Sequence, residues 1–336
     1  MVISLTQRVD AANIGLMVLS CLVAFFFPFE AFLFSYGVLG PLLYLTEIGW
    51  LHKKGYFTTG NYDYIFLALL AFGINLGFLG LSDFFNEVST SLIYLGFLAA
   101  LAMVSIKNNS LKVVCIILLF AFSTAIIGDS PLYQIFFAVY LPTIIHVFIF
   151  TALFIIYGAL KNKSLPGFIS VIVFGICAIS FFYFPVGYQQ LASMEYIKQS
   201  YRGFAPLNQI MLNLFGFNEL NSFKEATNNA IFNSQSGYMV MRFVAFAYIY
   251  HYLNWFSKTS VIQWHKVPKT TLAIVAVLWV ASILLYAYDY MVGLKWLFLL
   301  SFLHVLLEFP LNYRSIIGIG QEMKGLLVGK KTAISK

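Results

Sequence analysis

Apolar residues follow one another along most of this chain in stretches of about 20 residues, separated by short polar segments. A helix of that length crosses the hydrocarbon core of a bilayer, because each residue advances the helix by about 1.5 Å. The pattern therefore predicts an all-α, polytopic bundle of about ten transmembrane helices. The predicted spans are residues 12–27, 30–51, 63–81, 90–106, 112–128, 136–160, 166–185, 238–257, 270–288 and 294–311.

The composition supports this assignment to the membrane. Of the 336 residues, 61% are hydrophobic and only 10% are charged, whereas an ordinary soluble domain is about 45–50% apolar and about 25% charged. This composition excludes a soluble enzyme and a disulfide-stabilised secreted domain, because either would expose large apolar patches to water. It also excludes a disordered chain, which would be far more polar and charged. We expect a single membrane-embedded domain over residues 1–336, with the lipid bilayer as its main partner.

The net charge of +7 reflects membrane orientation rather than nucleic-acid binding, because most lysines and arginines lie in alternate short loops. Placing those loops inside predicts cytoplasmic N- and C-termini, with a basic cytoplasmic tail over residues 313–336. The opposite loops are then acidic or neutral, around Glu30, Asp83, Glu87, Asp129 and Asp289. This topology predicts a protein of the cytoplasmic (plasma) membrane and no nucleic-acid partner.

Residues 186–237 form the one long connection between predicted spans, and the topology places it outside the cell. Within it, Leu207–Phe217 has the pattern of an amphipathic helix that lies on a membrane surface. The loop is either a lid or docking site for a protein partner, or a structured cap without chemistry. The second interpretation is favoured.

Five ionisable residues fall inside predicted spans, where such residues are costly and usually mark a function. They are Glu47, His146, His251, His304 and Glu308. At 1.5 Å per residue they lie between about 15 and 26 Å from the outer ends of their spans, in one band from mid-membrane to the inner third. This common depth predicts a shared metal-binding or proton-handling site, although a single histidine of this kind often only hydrogen-bonds a neighbouring helix.

Spacing within helices refines this set. His304 and Glu308 are four residues apart and share one helix face, and imidazole with carboxylate suits iron, manganese or zinc. Glu47 and His52 are five residues apart, which separates them by about 140° around a straight helix. We expect four further residues to act as hydrogen-bonding partners of the ligands or as a proton path: His52, Asp63, Tyr248 and Asn254.

Three functions remain open at this point. The first is a membrane-embedded, metal-dependent oxidoreductase or oxygenase that acts on a lipid-soluble small molecule, with non-haem iron as the expected metal. The second is a proton-coupled transporter, and the third is a non-enzymatic membrane subunit. Haem b held by His146 and His304 is the alternative cofactor.

In composition and in the scatter of its intramembrane histidines, the chain resembles the bacterial membrane-embedded carotenoid-cleaving dioxygenases. The two share no motif, so the resemblance assigns no role to any residue. An HExxH zinc motif, the clustered histidine boxes of membrane desaturases and a Gly-rich phosphate loop are all absent from the sequence.

Overall fold

The computed structural model describes residues 4–122, 125, 135–184, 195–216, 230–258 and 267–328. These residues form helices and no β-strand, which confirms the all-α prediction for this part of the chain. Two π-helical segments, Ser35–Leu39 and Phe136–Phe150, and two 3₁₀ turns, Gly55–Phe57 and Arg202–Phe204, lie between or beside the α-helices. The α-helices are α1 (Leu5–Phe26), α2 (Pro28–Phe34), α3 (Gly40–Lys53), α4 (Asp63–Phe78), α5 (Asp83–Ser105), α6 (Asn109–Phe122), α7 (Thr151–Asn162), α8 (Leu165–Tyr183), α9 (Glu195–Tyr201), α10 (Ala205–Leu214), α11 (Gln235–Ser257), α12 (Lys269–Tyr288) and α13 (Tyr290–Val328).

Seven helical segments of the described chain are long and apolar enough to cross a bilayer, which makes this a membrane protein. They are Leu5–Phe26, Pro28–Lys53, Asp83–Ser105, Val139–Asn162, Leu165–Tyr183, Lys269–Tyr288 and Tyr290–Leu326. Each coincides with one predicted span.

The described residues of the three other predicted spans lie mostly in helices, but none of these helices is among the seven. Spans 63–81 and 112–128 correspond to the shorter apolar helices α4 and α6, and span 238–257 lies in α11, which is not among the seven. The total of about ten spans is therefore not confirmed, and the orientation of the termini stays a prediction.

Helix α12 shows the kind of surface that a bilayer would cover. Its large apolar side chains point outward, including Ile274, Val277 and Leu284, each at least 60% exposed. A row of exposed aliphatic side chains of this kind is unfavourable in water but neutral against lipid tails.

The chain divides into two compact units. The first comprises Met1–Leu43 and Ile169–Leu297, and helix α11 runs through it almost entirely buried. Helices α1, α2 and α10 pack against α11. An aromatic cluster links α2 to the end of α9, to the 3₁₀ turn that follows it and to α11, since the Phe32 ring lies 5.4 Å from Tyr201, 4.8 Å from Phe204 and 5.0 Å from Tyr248.

The described part of the predicted external loop belongs to this first unit and is helical. The amphipathic helix predicted over Leu207–Phe217 is observed as α10, Ala205–Leu214, while Phe217 lies outside the described residues. Leu207 and Met211 are buried, α10 packs against α11, and the Tyr201 hydroxyl donates to Asn208 Oδ1. These contacts agree with a structured cap and do not test the alternative of a docking site.

The second unit comprises Tyr44–Phe168 and Phe298–Lys336. Helices α4 and α5 approach very closely in it, because α4 presents Gly73 and Gly77 to the first turns of α5. A Cβ atom on Gly77 would lie 2.6 Å from the carbonyl oxygen of Phe85, so only glycine allows this packing. Helix α13 packs into the same unit, with Leu307 in a buried cluster that includes Leu67 and Ala99.

Candidate metal site

The second unit brings four of the predicted site residues into its interior. His146 lies in the π-helical segment Phe136–Phe150, Glu47 lies in α3, and His304 and Glu308 lie one turn apart in α13. All four are buried, with exposed fractions between 1% for His146 and 3% for His304 and Glu308. Three separate segments of the chain therefore supply polar side chains to one apolar interior.

The polar atoms of three of these side chains converge. His146 Nε2 lies 3.2 Å from His304 Nε2 and 3.5 Å from Glu308 Oε2. Two ligand atoms on one tetrahedral ion, each bound at about 2.0–2.1 Å, are separated by about 3.3 Å. The spacing between the two imidazole nitrogens, and between imidazole and carboxylate, is compatible with ligands of a common metal ion. At 3.2 Å one Nε2–H can also donate a hydrogen bond to the other Nε2.

Aromatic rings hold the two imidazoles in place. The Tyr44 ring stacks on His304 with centroids 4.3 Å apart and an angle of 24° between the planes. Phe150, one turn along from His146, contacts that imidazole with its ring edge-on at 6.4 Å. Because packing restricts ring rotation, both Nε2 atoms stay directed towards each other.

The second carboxylate, Glu47, is close enough to Glu308 for the two carboxyl groups to interact electrostatically. Glu308 Oε2 accepts no hydrogen bond from the described residues. Two ionised carboxylates in a buried apolar site would be very unfavourable without a counter-charge, whereas one divalent cation with neutral imidazoles neutralises them. The charge of the site thus matches a single divalent ion.

His251 is the third buried histidine of the predicted set, and it lies in α11 of the first unit. A role of His251 as a further metal ligand stays a prediction. Within its own unit, the His251 ring contacts Tyr252 with a centroid distance of 5.6 Å.

Tyr248 and Asn254, predicted to support His251, are both buried in the same helix. Tyr248 contacts the rings of Phe32, Tyr36 and Tyr252, so its aromatic packing is explained within the first unit. The side-chain oxygen of Asn254 accepts no hydrogen bond from the described residues. A supporting role of these two residues stays a prediction.

His52 and Asp63 have local partners instead of contacts with the site. His52 is exposed while Glu47 is buried, as the angle of about 140° between them predicts. His52 Nδ1 lies 3.3 Å from the Tyr56 hydroxyl. Burial, with a contribution from Tyr64, raises the pKa of that hydroxyl, so it stays protonated and can donate to His52.

Asp63 forms a nearly buried ion pair with Lys112, whose Nζ lies 2.9 Å and 2.8 Å from the two carboxylate oxygens. The carboxylate also accepts from the backbone N–H of Gly60 at 3.0 Å. These bonds fasten the connection before α4 to the start of α6. Asp63 therefore has a structural role in the described chain, and its predicted part in a proton path gains no support.

Two residues of the site region were missed in the sequence. Tyr44 was not singled out, although it precedes Glu47 by three residues and so shares its helix face. Asn312 follows Glu308 by one turn, is 2% exposed, and neither polar atom of its amide has a partner among the described residues. The sequence signal that could have identified Asn312 is its spacing: His304, Glu308 and Asn312 follow one another at four-residue steps along one face of α13.

No protein-family model, curated protein or solved structure matches this chain.

Proposed function

We propose that this chain is a membrane-embedded, metal-dependent oxidoreductase that acts on a lipid-soluble small molecule. His146, His304 and Glu308 would hold a non-haem iron ion, with Glu47 as a second carboxylate. The observation that carries the proposal is the convergence of two imidazole nitrogens and one carboxylate oxygen at 3.2 and 3.5 Å in a buried site.

The donor set favours a catalytic ion over a purely structural one. Structural zinc is usually enclosed by four cysteine or histidine ligands, whereas two or three histidines with carboxylate leave positions open for small molecules on iron. When bound, such an ion would supply electron transfer and oxygen chemistry.

The geometry favours an ion over haem b. Two axial histidines of a haem stand on opposite faces of the ring, so their nitrogens are about 4 Å apart, with the porphyrin plane between them. The two Nε2 atoms here are only 3.2 Å apart, which leaves no room for a macrocycle.

The protein would orient the ligands, balance the charge of the ion and exclude water from the site. Tyr44 and Phe150 fix the imidazole planes, and Glu47 supplies the second negative charge that balances a divalent ion. The apolar packing around the four polar side chains keeps bulk water away, which strengthens electrostatic interactions and limits side reactions.

A lipid-soluble substrate fits the surface of the same unit. An apolar groove of about 680 Å³ lies along α5 and α6, with Leu98, Leu118 and Phe122 in its walls and Tyr313 of α13 at one side. Its volume is in the range of small-molecule sites, about 300–1,000 Å³, and its lining suits an apolar molecule that enters from the bilayer.

Nitric oxide with electron paramagnetic resonance tests this proposal. Non-haem Fe(II) with an open position gives a spin-3/2 signal with nitric oxide, and we expect that signal from the anaerobic, iron-loaded protein. His304→Ala should abolish it, because it removes one of the converging nitrogens, whereas His52→Ala should retain it. An iron-loaded protein without the signal, or a signal that survives His304→Ala, would refute the proposed centre.

A further inference from the structure

A cavity of about 400 Å³ lies in the first unit. None of the residues that line it belongs to the proposed metal site. Parts of α2, the π-helical segment Ser35–Leu39, α9, α12 and the start of α13 form its walls. Three tyrosines, Tyr196, Tyr286 and Tyr290, line it together with the carboxylate-bearing Glu30. We call this cavity the tyrosine pocket.

Packing fixes two of the three rings at an angle to each other. Tyr286 and Tyr290 have centroids 4.7 Å apart and planes inclined by 58°. The Tyr290 hydroxyl donates to the carbonyl of Leu33 at 3.0 Å, which anchors that ring. Gly37 borders both rings, since a Cβ atom there would lie at van der Waals distance, 3.4 Å from Tyr286 and 3.6 Å from Tyr290.

The charge of the tyrosine pocket is suited to a cation. Aromatic faces carry negative electrostatic potential and attract ammonium groups within about 6 Å of the ring centre. Glu30 adds a full negative charge, and its exposed carboxylate forms no ion pair or hydrogen bond within the described ranges. Tyrosine rings with a carboxylate are the usual recognition elements for alkylammonium groups.

The rest of the lining is apolar, which indicates an amphiphile rather than a small soluble ion. Leu33, Val38 and Ile283 line the cavity, and Phe34 at its edge is 62% exposed. The loops around Glu30 and Asp289 are predicted on the same membrane side, at the level where tyrosines and lipid headgroups meet.

We propose that the tyrosine pocket binds the ammonium headgroup of a zwitterionic phospholipid, with Tyr196, Tyr286 and Tyr290 around the cation and Glu30 as its counter-charge. The glycerol and upper acyl chain then lie on the apolar wall. This site is independent of the metal centre.

Calorimetric titration of the full-length, detergent-purified protein with dihexanoyl-phosphatidylcholine tests the site. We expect saturable binding that weakens by about 2- to 5-fold in Tyr196→Ala, the range for one cation–π contact at an exposed site. Glu30→Gln should weaken it as well, while Tyr196→Phe should retain most of the affinity. Tyr288→Ala and Glu87→Gln serve as matched controls, since neither residue lines the pocket, and both should bind like the unmodified protein.

Three further ligands separate the explanations. Dihexanoyl-phosphatidylglycerol lacks the cation. The 3,3-dimethylbutyl ester of dihexanoyl-phosphatidic acid has an uncharged tert-butyl group in place of trimethylammonium and keeps the phosphate, so both should bind more weakly. Equal affinity for either would overturn the cation site. Tetramethylammonium that binds as tightly as the choline lipid would overturn the lipid assignment, and unchanged affinity in Glu30→Gln and Tyr196→Ala would place the lipid elsewhere.

Discussion

The His304 imidazole has a tyrosine ring stacked on one face and a second imidazole nitrogen at 3.2 Å, and the Glu308 carboxylate lies one turn further along the same helix. Only the last was visible in the sequence, because a four-residue spacing fixes two side chains on one helix face. The approach of His146 depends on packing between segments that are more than 150 residues apart. Common depth suggested this approach but could not establish it.

Glu308 should matter to the site through its charge. Glu308→Gln keeps the shape of the side chain but removes the negative charge and weakens the metal ligand, so we expect affinity for a divalent ion to fall by at least about 10-fold. Competition with a fluorescent chelator measures this affinity. Glu322→Gln, in the same helix but outside the site, should leave it unchanged, and equal affinities in the two variants would exclude Glu308 as a ligand.

The ion pair between Asp63 and Lys112 should be a stability determinant rather than a catalytic one. Lys112→Met leaves the Asp63 carboxylate nearly buried without its cation, which we expect to lower the free energy of unfolding by about 3–5 kcal/mol. Thermal unfolding in detergent checks this expectation. The Asp63→Asn/Lys112→Met double variant should be less destabilised than the single one, and Lys107→Met, at an exposed position, should have little effect.

At the scale of helices, runs of apolar residues located seven candidate spans correctly, because hydrophobic length is a property of local sequence. The π-helical geometry of Phe136–Phe150 was not predicted; Pro142 lies within this segment, and proline is a common cause of irregular helices. A π-helix differs from an α-helix by one residue in each hydrogen-bonded ring, and tertiary packing selects between the two. His146 lies in this segment, so its direction could not be derived from a regular helical pitch.

The contact between α4 and α5 gives a matched pair of glycine substitutions. Gly77→Ala would press a methyl group against the backbone of Phe85, and we expect a loss of about 1–3 kcal/mol in stability from this overpacking. Gly49→Ala in α3 meets nothing within 4 Å and should be neutral or stabilising, since alanine favours a helix by about 1 kcal/mol. Thermal unfolding of both variants measures the difference in stability. Equal stabilities of Gly77→Ala and Gly49→Ala would contradict the close packing of α4 on α5.

For the whole molecule, composition predicts a membrane protein because no soluble fold could hide so much apolar surface. Orientation follows from the distribution of lysine and arginine, which acts during insertion and leaves no mark on helix packing. The structure therefore supports the membrane assignment and leaves the topology to experiment.

Labelling of single cysteines in a cysteine-free background tests that topology. With both termini inside, a cysteine at Glu87 should react with a membrane-impermeant maleimide in intact cells, because it lies in a predicted external loop. Cysteines at Lys107 and Lys324 should react only after permeabilisation. Reaction of Lys324→Cys in intact cells would show that the tail lies outside, contrary to the prediction.

Elemental analysis of the detergent-purified protein, with an optical spectrum of the same sample, shows whether the buried imidazoles and carboxylates hold a metal ion. We predict about one iron or manganese ion per chain without the Soret band of haem, and loss of the ion in His146→Ala and His304→Ala. A protein that contains no metal, and takes up none on reconstitution with Fe(II), Mn(II) or Zn(II), would refute the proposed metal site.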